Sequence, residues 1–255
     1  MEHFLDETLI GYTATADYRF NDKRKISIYG GRCFLYPSFN DLYWIPGGNP
    51  DLKPERGIKG HLSIESKGRK LQWSAQVHSS FIEDWILWLP GENAIWSAIN
   101  AQKVWAKGLR LHYKKNVRIR AIWLSLNGVY AFNQTTNQGG NKWVAKGKKM
   151  IYVPQHSFIQ NFSFLKSSFK LNWQIAYTGK RFTNAANSES LDGFLLHNVT
   201  LSYRKNDLTT SLTANNLFDK VYQSTLTYPM PLSQFQLSIH YNFKNLRKKY
   251  VSKSN

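Results

Sequence analysis

The sequence predicts an all-β protein, specifically an antiparallel transmembrane β-barrel. Three observations carry that expectation: apolar residues recur with period two, short and long connections alternate, and the polar positions of the strands are rich in amides and hydroxyls. The clearest strand holds Phe169, Leu171, Trp173, Ile175 and Tyr177 against Lys170, Asn172, Gln174, Ala176 and Thr178. Phe235, Leu237, Ile239, Tyr241 and Phe243 oppose Gln234, Gln236, Ser238, His240 and Asn242 in the same way. The contrast recurs in Tyr12 to Phe20, Leu71 to Phe81, Ile122 to Tyr130 and Leu195 to Tyr203, and the alternation template counts about eleven such strands. No helical period of 3.6 is evident.

The connections divide into two kinds. Asn21 to Lys25, Lys67 to Lys70, Lys114 to Val117, Lys166 to Ser168 and Arg204 to Asp207 are short, charged and turn-like. Tyr36 to Gly57, Asp84 to Asn100, Asn133 to Val153, Gly179 to Gly193 and Asp219 to Ser233 are long and rich in Gly, Asn, Pro and aromatics. Because successive connections of a meander fall at opposite ends, strict alternation gathers every long loop on one rim. That is the asymmetry of an outer-membrane barrel. Rings near strand ends suit the two membrane interfaces. Alternation alone also fits a soluble sandwich or propeller, whose apolar face is buried instead.

Composition removes other classes. With Trp 9, Tyr 14 and Phe 15 in 255 residues, most of the chain is too aromatic for intrinsic disorder. One cysteine, Cys33, forms neither an internal disulfide nor a thiol metal cluster. No uncharged apolar run approaches the roughly 20 residues of a membrane helix, and the mean hydropathy of −0.46 agrees. Met1 to Ile10 carries Glu2, Asp6 and Glu7 and does not read as a signal peptide.

Two motifs are more specific than periodicity. Pro37-Ser38-Phe39-Asn40-Asp41-Leu42-Tyr43-Trp44, followed by Gly48-Asn49-Pro50-Asp51-Leu52-Lys53-Pro54-Glu55, resembles the loop motif of TonB-dependent outer-membrane receptors. Ala214-Asn215-Asn216-Leu217-Phe218-Asp219-Lys220-Val221-Tyr222 resembles that family's penultimate strand and following loop, and Phe243 stands where its closing aromatic lies. The resemblance implies about eleven strands of a twenty-two-stranded barrel, with residues 1–243 as its C-terminal part and the plug domain absent. It further implies an outer-membrane location in a Gram-negative bacterium and TonB-energised uptake of a scarce nutrient. A ferric siderophore, cobalamin or haem is the expected cargo. Expected partners are that small-molecule cargo, the TonB complex through the missing plug, and the barrel assembly machinery acting on Phe243. Residues 244–255 depart from the family pattern. Lys244, Arg247, Lys248, Lys249 and Lys253 make them a basic tail, read as solvated and periplasmic.

No catalytic constellation is present, so no enzyme and no cofactor is expected. His3, His61, His78, His112, His156, His197 and His240 lie on separate segments without metal-ligand spacing. In the loop motif, Asn49-Pro50 and Lys53-Pro54 fix the backbone, and Glu55 is expected to pair with a cation. Pro37, Leu42, Tyr43, Asn49, Pro50, Leu52, Lys53, Pro54 and Glu55 are therefore read as shaping the loop. Cargo contacts are assigned to Trp85, Trp88, Trp96, Lys142, Trp143, Arg181, Phe182 and Tyr228 on other long loops. Rings there give broad, low-entropy contact, and adjacent cations attract an anionic chelate. The even alternative places some of these rings in the outer aromatic girdle.

The net charge of +18 suits outer-membrane lipid and lipopolysaccharide or an acidic cargo. It is spread too widely for a nucleic-acid face. The rival function from another class is a soluble β-sheet module that binds glycans or nucleic acid.

Overall fold

The computed structural model describes residues 8–90, 95–140 and 145–243. Its strands are β1 (Tyr12–Asn21), β2 (Arg24–Leu35), β3 (Glu55–Lys67), β4 (Leu71–Pro90), β5 (Trp96–Ile119), β6 (Ile122–Asn137), β7 (His156–Lys166) and β8 (Phe169–Thr178). They continue with β9 (Arg181–Phe182), β10 (Ser190–Leu191), β11 (Phe194–Lys205), β12 (Leu208–Asn215), β13 (Gln223–Thr225), β14 (Tyr228–Pro229) and β15 (Gln234–Tyr241). Eleven of them form one sheet in the order β1-β2-β3-β4-β5-β6-β7-β8-β11-β12-β15, while β9 pairs with β10 and β13 with β14 inside loops. Every ladder is antiparallel and every neighbour in the large sheet is the next main strand. The two edges are β1 and β15, both running from the long-loop rim to the short-turn rim.

The short turns follow from local chemistry. Asn21 Oδ1 accepts the N–H groups of Lys23 and Arg24, closing the first turn. Ser167 and Asn206 adopt positive φ in their turns, as tight hairpins require. One turn lies elsewhere than expected. Lys114 to Val117 is strand, with Asn116 opposite Ser125 and Val117 opposite Leu124, and the chain reverses at Arg120 and Ala121. Long cations at a strand end keep their charge in water while their stems stay in the ladder, so a charge run does not mark a turn. A five-residue helix, α1 (Phe39–Tyr43), also appears where no helical period was legible.

The apolar face of the sheet has no second layer over it among the described residues. Buried hydrophobics are few (Leu42, Leu52, Leu89, Ala98, Val104, Met150, Ile151 and Ala214) and gather toward the long-loop end. Ile28, Leu62, Val77, Leu111, Leu171, Leu201, Leu212, Leu237 and Ile239 are instead exposed along the strands. A sandwich would bury those residues, whereas a barrel turns them to lipid. Rings concentrate at both levels of this face. Tyr18, Phe20, Trp73, Tyr113, Phe169, Tyr203 and Tyr241 lie toward the short turns, and Tyr12, Phe34, Phe81, Trp105, Phe158 and Tyr177 toward the loops. One polar side chain on the outer face is provided for: Tyr113 donates to Gln160 Oε1 across Gly128.

The opposite face is a polar wall. Asn127, Asn161, Gln174 and Asn198 stand in register across four strands. Asn198 Nδ2 donates to Gln174 Oε1 at 3.0 Å and Gln174 Nε2 to Asn161 Oδ1 at 3.1 Å. The row extends to His112, 2.9 Å from Asn127 Oδ1, and to the Asn216 N–H, which donates to Asn198 Oδ1. A wet lumen or a docked polar surface satisfies the remaining amide valences, as hydrocarbon cannot.

Candidate functional site

The loop rim is organised around one projecting hairpin. β4 and β5 run to 20 and 24 residues, so most of Asp84 to Asn100, expected as loop, is ladder from Trp85↔Ala101 to Pro90↔Trp96. Asp84 has φ 56° and is skipped in the pairing between Glu83↔Lys103 and Trp85↔Ala101. Gln102 is skipped opposite it, so the ladder is interrupted there without a change of register. Both faces of the projecting hairpin are covered by other loops, which is why its sequence, Trp85-Ile86-Leu87-Trp88-Leu89, lacks a polar alternation.

The chain from Tyr36 to Pro54 packs on one face. Leu42, Leu52 and Ala98 form a small core with Ile86 and Trp88. The helix α1 starts with a capping box, in which Ser38 and Asp41 each bond the other's backbone N–H. Asp41 Oδ1 also accepts from Trp88 Nε1 at 2.8 Å. Burial acts to raise the Asp41 carboxyl, but the hydrogen bonds from Ser38 and Trp88 outweigh it and hold the group below the usual carboxylate range.

Asn49 Nδ2 donates to the Ala98 carbonyl, and Asn100 accepts from the Lys53 N–H at 2.9 Å while donating to the Lys53 carbonyl at 3.0 Å and to the Asp84 carbonyl at 2.6 Å. Glu55 Oε1, expected beside a cation, accepts the Ile86 N–H at 2.8 Å. Gly47 lies so close to the hairpin that a Cβ would overlap the Trp96 carbonyl oxygen. Pro37 is buried, Tyr43 and Pro50 are exposed, and Pro54 precedes β3.

On the other face, Leu89 and Ile151 pack with Leu87, Ile99, Tyr152 and Ala185. Beside them opens a cavity of about 630 Å³ where three further loops meet the hairpin tip. Trp96, Tyr152 and Tyr228 give it aromatic surface, while Thr183, Asn184, Thr225 and Thr227 give hydroxyls and an amide. Glu189 is the one charged residue among its described lining residues. The Thr183 hydroxyl is 7% exposed by residue and has no protein hydrogen-bond partner. A buried hydroxyl in that state is a ready donor or acceptor for a ligand.

The structure therefore brings Trp96 and Tyr228 to one cavity and places Trp85, Trp88, Arg181 and Phe182 outside its lining. Trp85 is half-buried on β4, and Trp88 packs with the motif loop. Arg181 is 4% exposed, donates to the carbonyls of Gly179 and Gln223, and lies 5.0 Å from the Phe194 ring centroid. Its guanidinium is committed to the fold. Phe182 next to it has the ammonium groups of Lys149 and Lys180 at 5.8 and 5.9 Å from its ring centroid. Lys142, Trp143 and the tail 244–255 lie outside the described residues. Phe243 follows the end of β15, is exposed, and meets Tyr241 edge-on.

Sequence reasoning missed Tyr152, Thr183, Asn184, Glu189, Thr225 and Thr227. Nothing in their local pattern separates them from ordinary loop residues. Among the described residues no group of three or more His, Cys, Asp or Glu is placed to hold a metal.

A family model described as "TonB dependent receptor-like, beta-barrel" matches residues 10–217. The chain belongs to the TonB-dependent receptor family. Its relatives include the vitamin B12 transporter BtuB of Photobacterium profundum, 28% identical over 235 residues, covering 90% of this chain and 37% of the relative. BtuB of Vibrio vulnificus (strain YJ016) is 26% identical over 196 residues, 76% of this chain and 30% of that one. The chain thus spans about a third of the length of the curated relatives it matches. Among solved structures, the copper transporter OprC superposes with a TM-score of 0.73 at 15% identity, over 90% of this chain and 39% of that one. The ferric-catecholate import receptor Fiu of E. coli gives 0.70 at 18%, over 91% and 35%. Barrels of TonB-dependent receptors sit in the outer membrane, with the apolar outer face and polar inner wall described above.

Proposed function

We propose that this chain supplies part of the barrel wall and part of the cargo-binding loop face of an outer-membrane receptor for TonB-energised uptake of a scarce nutrient. Its cargo is a bulky, uncharged, amide-rich molecule of the cobalamin kind. The observation that carries the cargo class is the chemistry of the cavity beside Leu89. Aromatic side chains of Trp96, Tyr152 and Tyr228 line it together with hydroxyls and an amide, and the described lining offers no cation. An anionic ferric chelate calls for Lys or Arg at the ligand. Here Arg181 is committed to backbone carbonyls. A neutral macrocycle with peripheral amides instead needs apolar contact and a few placed hydrogen bonds. The names of the BtuB relatives point the same way.

The test uses the receptor that carries this segment, expressed in cells lacking their own cobalamin receptor. Uptake of labelled cyanocobalamin is measured beside that of a ferric tricatecholate. The Trp96→Ala/Tyr228→Ala pair is expected to weaken cyanocobalamin binding by about tenfold or more. Tight binding of the ferric tricatecholate without cobalamin uptake overturns the cargo assignment and leaves the barrel reading intact.

A further inference from the structure

The lipid-facing surface carries a groove that cargo transport does not require. Its floor is Gly30, Gly60 and Ser79, which stand in register on β2, β3 and β4, and the next residue in that row is Lys107 on β5. Below it the row Ile28–Leu62–Val77 forms one wall, and above it Ile58 and Phe81 form the other. The cavity measures about 720 Å³. Its walls are apolar side chains facing outward: Ile28, Ile58, Leu62, Val77 and Phe81 are 57, 67, 49, 50 and 40% exposed.

The groove is inclined across the membrane. Gly30 lies six residues from the short-turn end of β2 at Arg24, and the registered row from it to Lys107 crosses three strand spacings. At about 3.3 Å per residue and a strand tilt of roughly 40°, Gly30 stands about 15 Å above that end, and three strand spacings of about 4.8 Å raise Lys107 by about 9 Å more. The apolar band of an outer-membrane barrel is about 25 Å tall. Lys107 therefore stands at the upper edge of that band, within reach of the outer-leaflet headgroups, and the groove descends from it toward the bilayer centre, the course of one acyl chain.

The upper end is built for an anion. Lys107 Nζ lies 3.9 Å from the centroid of the Trp105 ring, and Trp105 is held in turn by a 2.8 Å bond from its Nε1 to Ser79 Oγ. Ring and groove floor thus fix the position of the ammonium. Arg32, exposed in the row above Gly30, adds a second cation on the same face.

We infer that this groove is a binding site for a phosphorylated acyl glycolipid of the outer leaflet, with an acyl chain lying over Gly30 and Gly60 and a phosphate on Lys107. It does not depend on the identity of the cargo. A Cβ on Gly30 meets no heavy atom within 4 Å, so Gly30→Leu is accommodated by the sheet and fills the groove.

The experiment purifies the receptor carrying this segment in detergent, exchanges it against lipid A bisphosphate, and counts retained lipid by native mass spectrometry. Heat-modifiable migration on gels checks folding of each variant. Wild type is expected to retain the lipid. Gly30→Leu and Lys107→Gln should each lower its retention about tenfold or more, and Lys107→Arg should restore it. Equal retention by folded Gly30→Leu and Lys107→Gln overturns the site. So does equal competition by dephosphorylated lipid A or by phosphatidylglycerol, because either result makes the groove an unselective notch or a phospholipid seat.

Discussion

Replacing Asn100 with alanine probes how the motif loop is held. Its side chain accepts one hydrogen bond and donates two, joining Lys53 on the loop to Asp84 at the break in the β4–β5 ladder. Each such bond contributes about 0.5–1.5 kcal/mol net, and the groups left behind at this half-exposed place recover part of that from water. A loss of about 2 kcal/mol in the docking of the loop on the hairpin is the expected result, which raises the local opening constant roughly thirtyfold. The assay is hydrogen exchange on the full receptor, comparing amides of residues 41–53 with those of the β7–β8 ladder. Exchange should accelerate in the first set alone. Unchanged protection of the Leu42, Asn49 and Leu52 amides would refute the idea that Asn100 holds the loop. Acceleration across β7 and β8 as well would mean that the hairpin and barrel open as one unit.

Three further outcomes follow from the same geometry. The Asp41 carboxyl is depressed in the folded loop, so its contribution to loop docking is present above the unfolded value of about 3.9 and is lost as pH falls through the lower folded value. Loop amide exchange against pH should show that loss, and Asp41→Asn should abolish it. At Gly128 a Cβ would stand 2.5 Å from the Tyr113 ring and 2.7 Å from Gln160 Oε1. Gly128→Ala should therefore displace the bond that satisfies Gln160 on the lipid face and lower barrel stability by about 1–3 kcal/mol, read as an earlier loss of heat-modifiable migration. Thr183→Val keeps the volume of the side chain and removes a hydroxyl with no protein partner. It should weaken cyanocobalamin binding severalfold while leaving barrel stability unchanged.

The barrel wall was legible because lipid and lumen impose opposite chemistries on alternate residues, as in Phe169 to Thr178. Legibility ended where that contrast ends. Above the membrane Trp85 to Pro90 is covered on both faces, so its ladder reads as a long apolar loop. The helix α1 is shorter than two turns and leaves no period to detect, although its Ser38–Asp41 cap is visible in the sequence. Of the expected contacts, Trp96 and Tyr228 reach the cavity because rings at loop tips have few other places to go. Arg181 was assigned to cargo from its adjacency to Phe182, but neighbours on an extended chain point to opposite sides. Here the guanidinium turns into the loop backbone while Phe182 turns to Lys149 and Lys180. Thr183 became recognisable only through its missing partner, a property of three dimensions.

The like direction of β1 and β15 fixes which assemblies these edges permit. In two copies inserted the same way up, β15 of one would meet β1 of the other as parallel strands. Such a ring breaks the up-and-down rule at both seams, so duplication of this sheet is no route to a closed antiparallel pore. A complement that fits carries an odd number of strands whose outermost members ascend from the turn rim. Parity at the edges thus acts as a lock against self-pairing, and it lets a split receptor be reassembled from unlike pieces without competition from like ones.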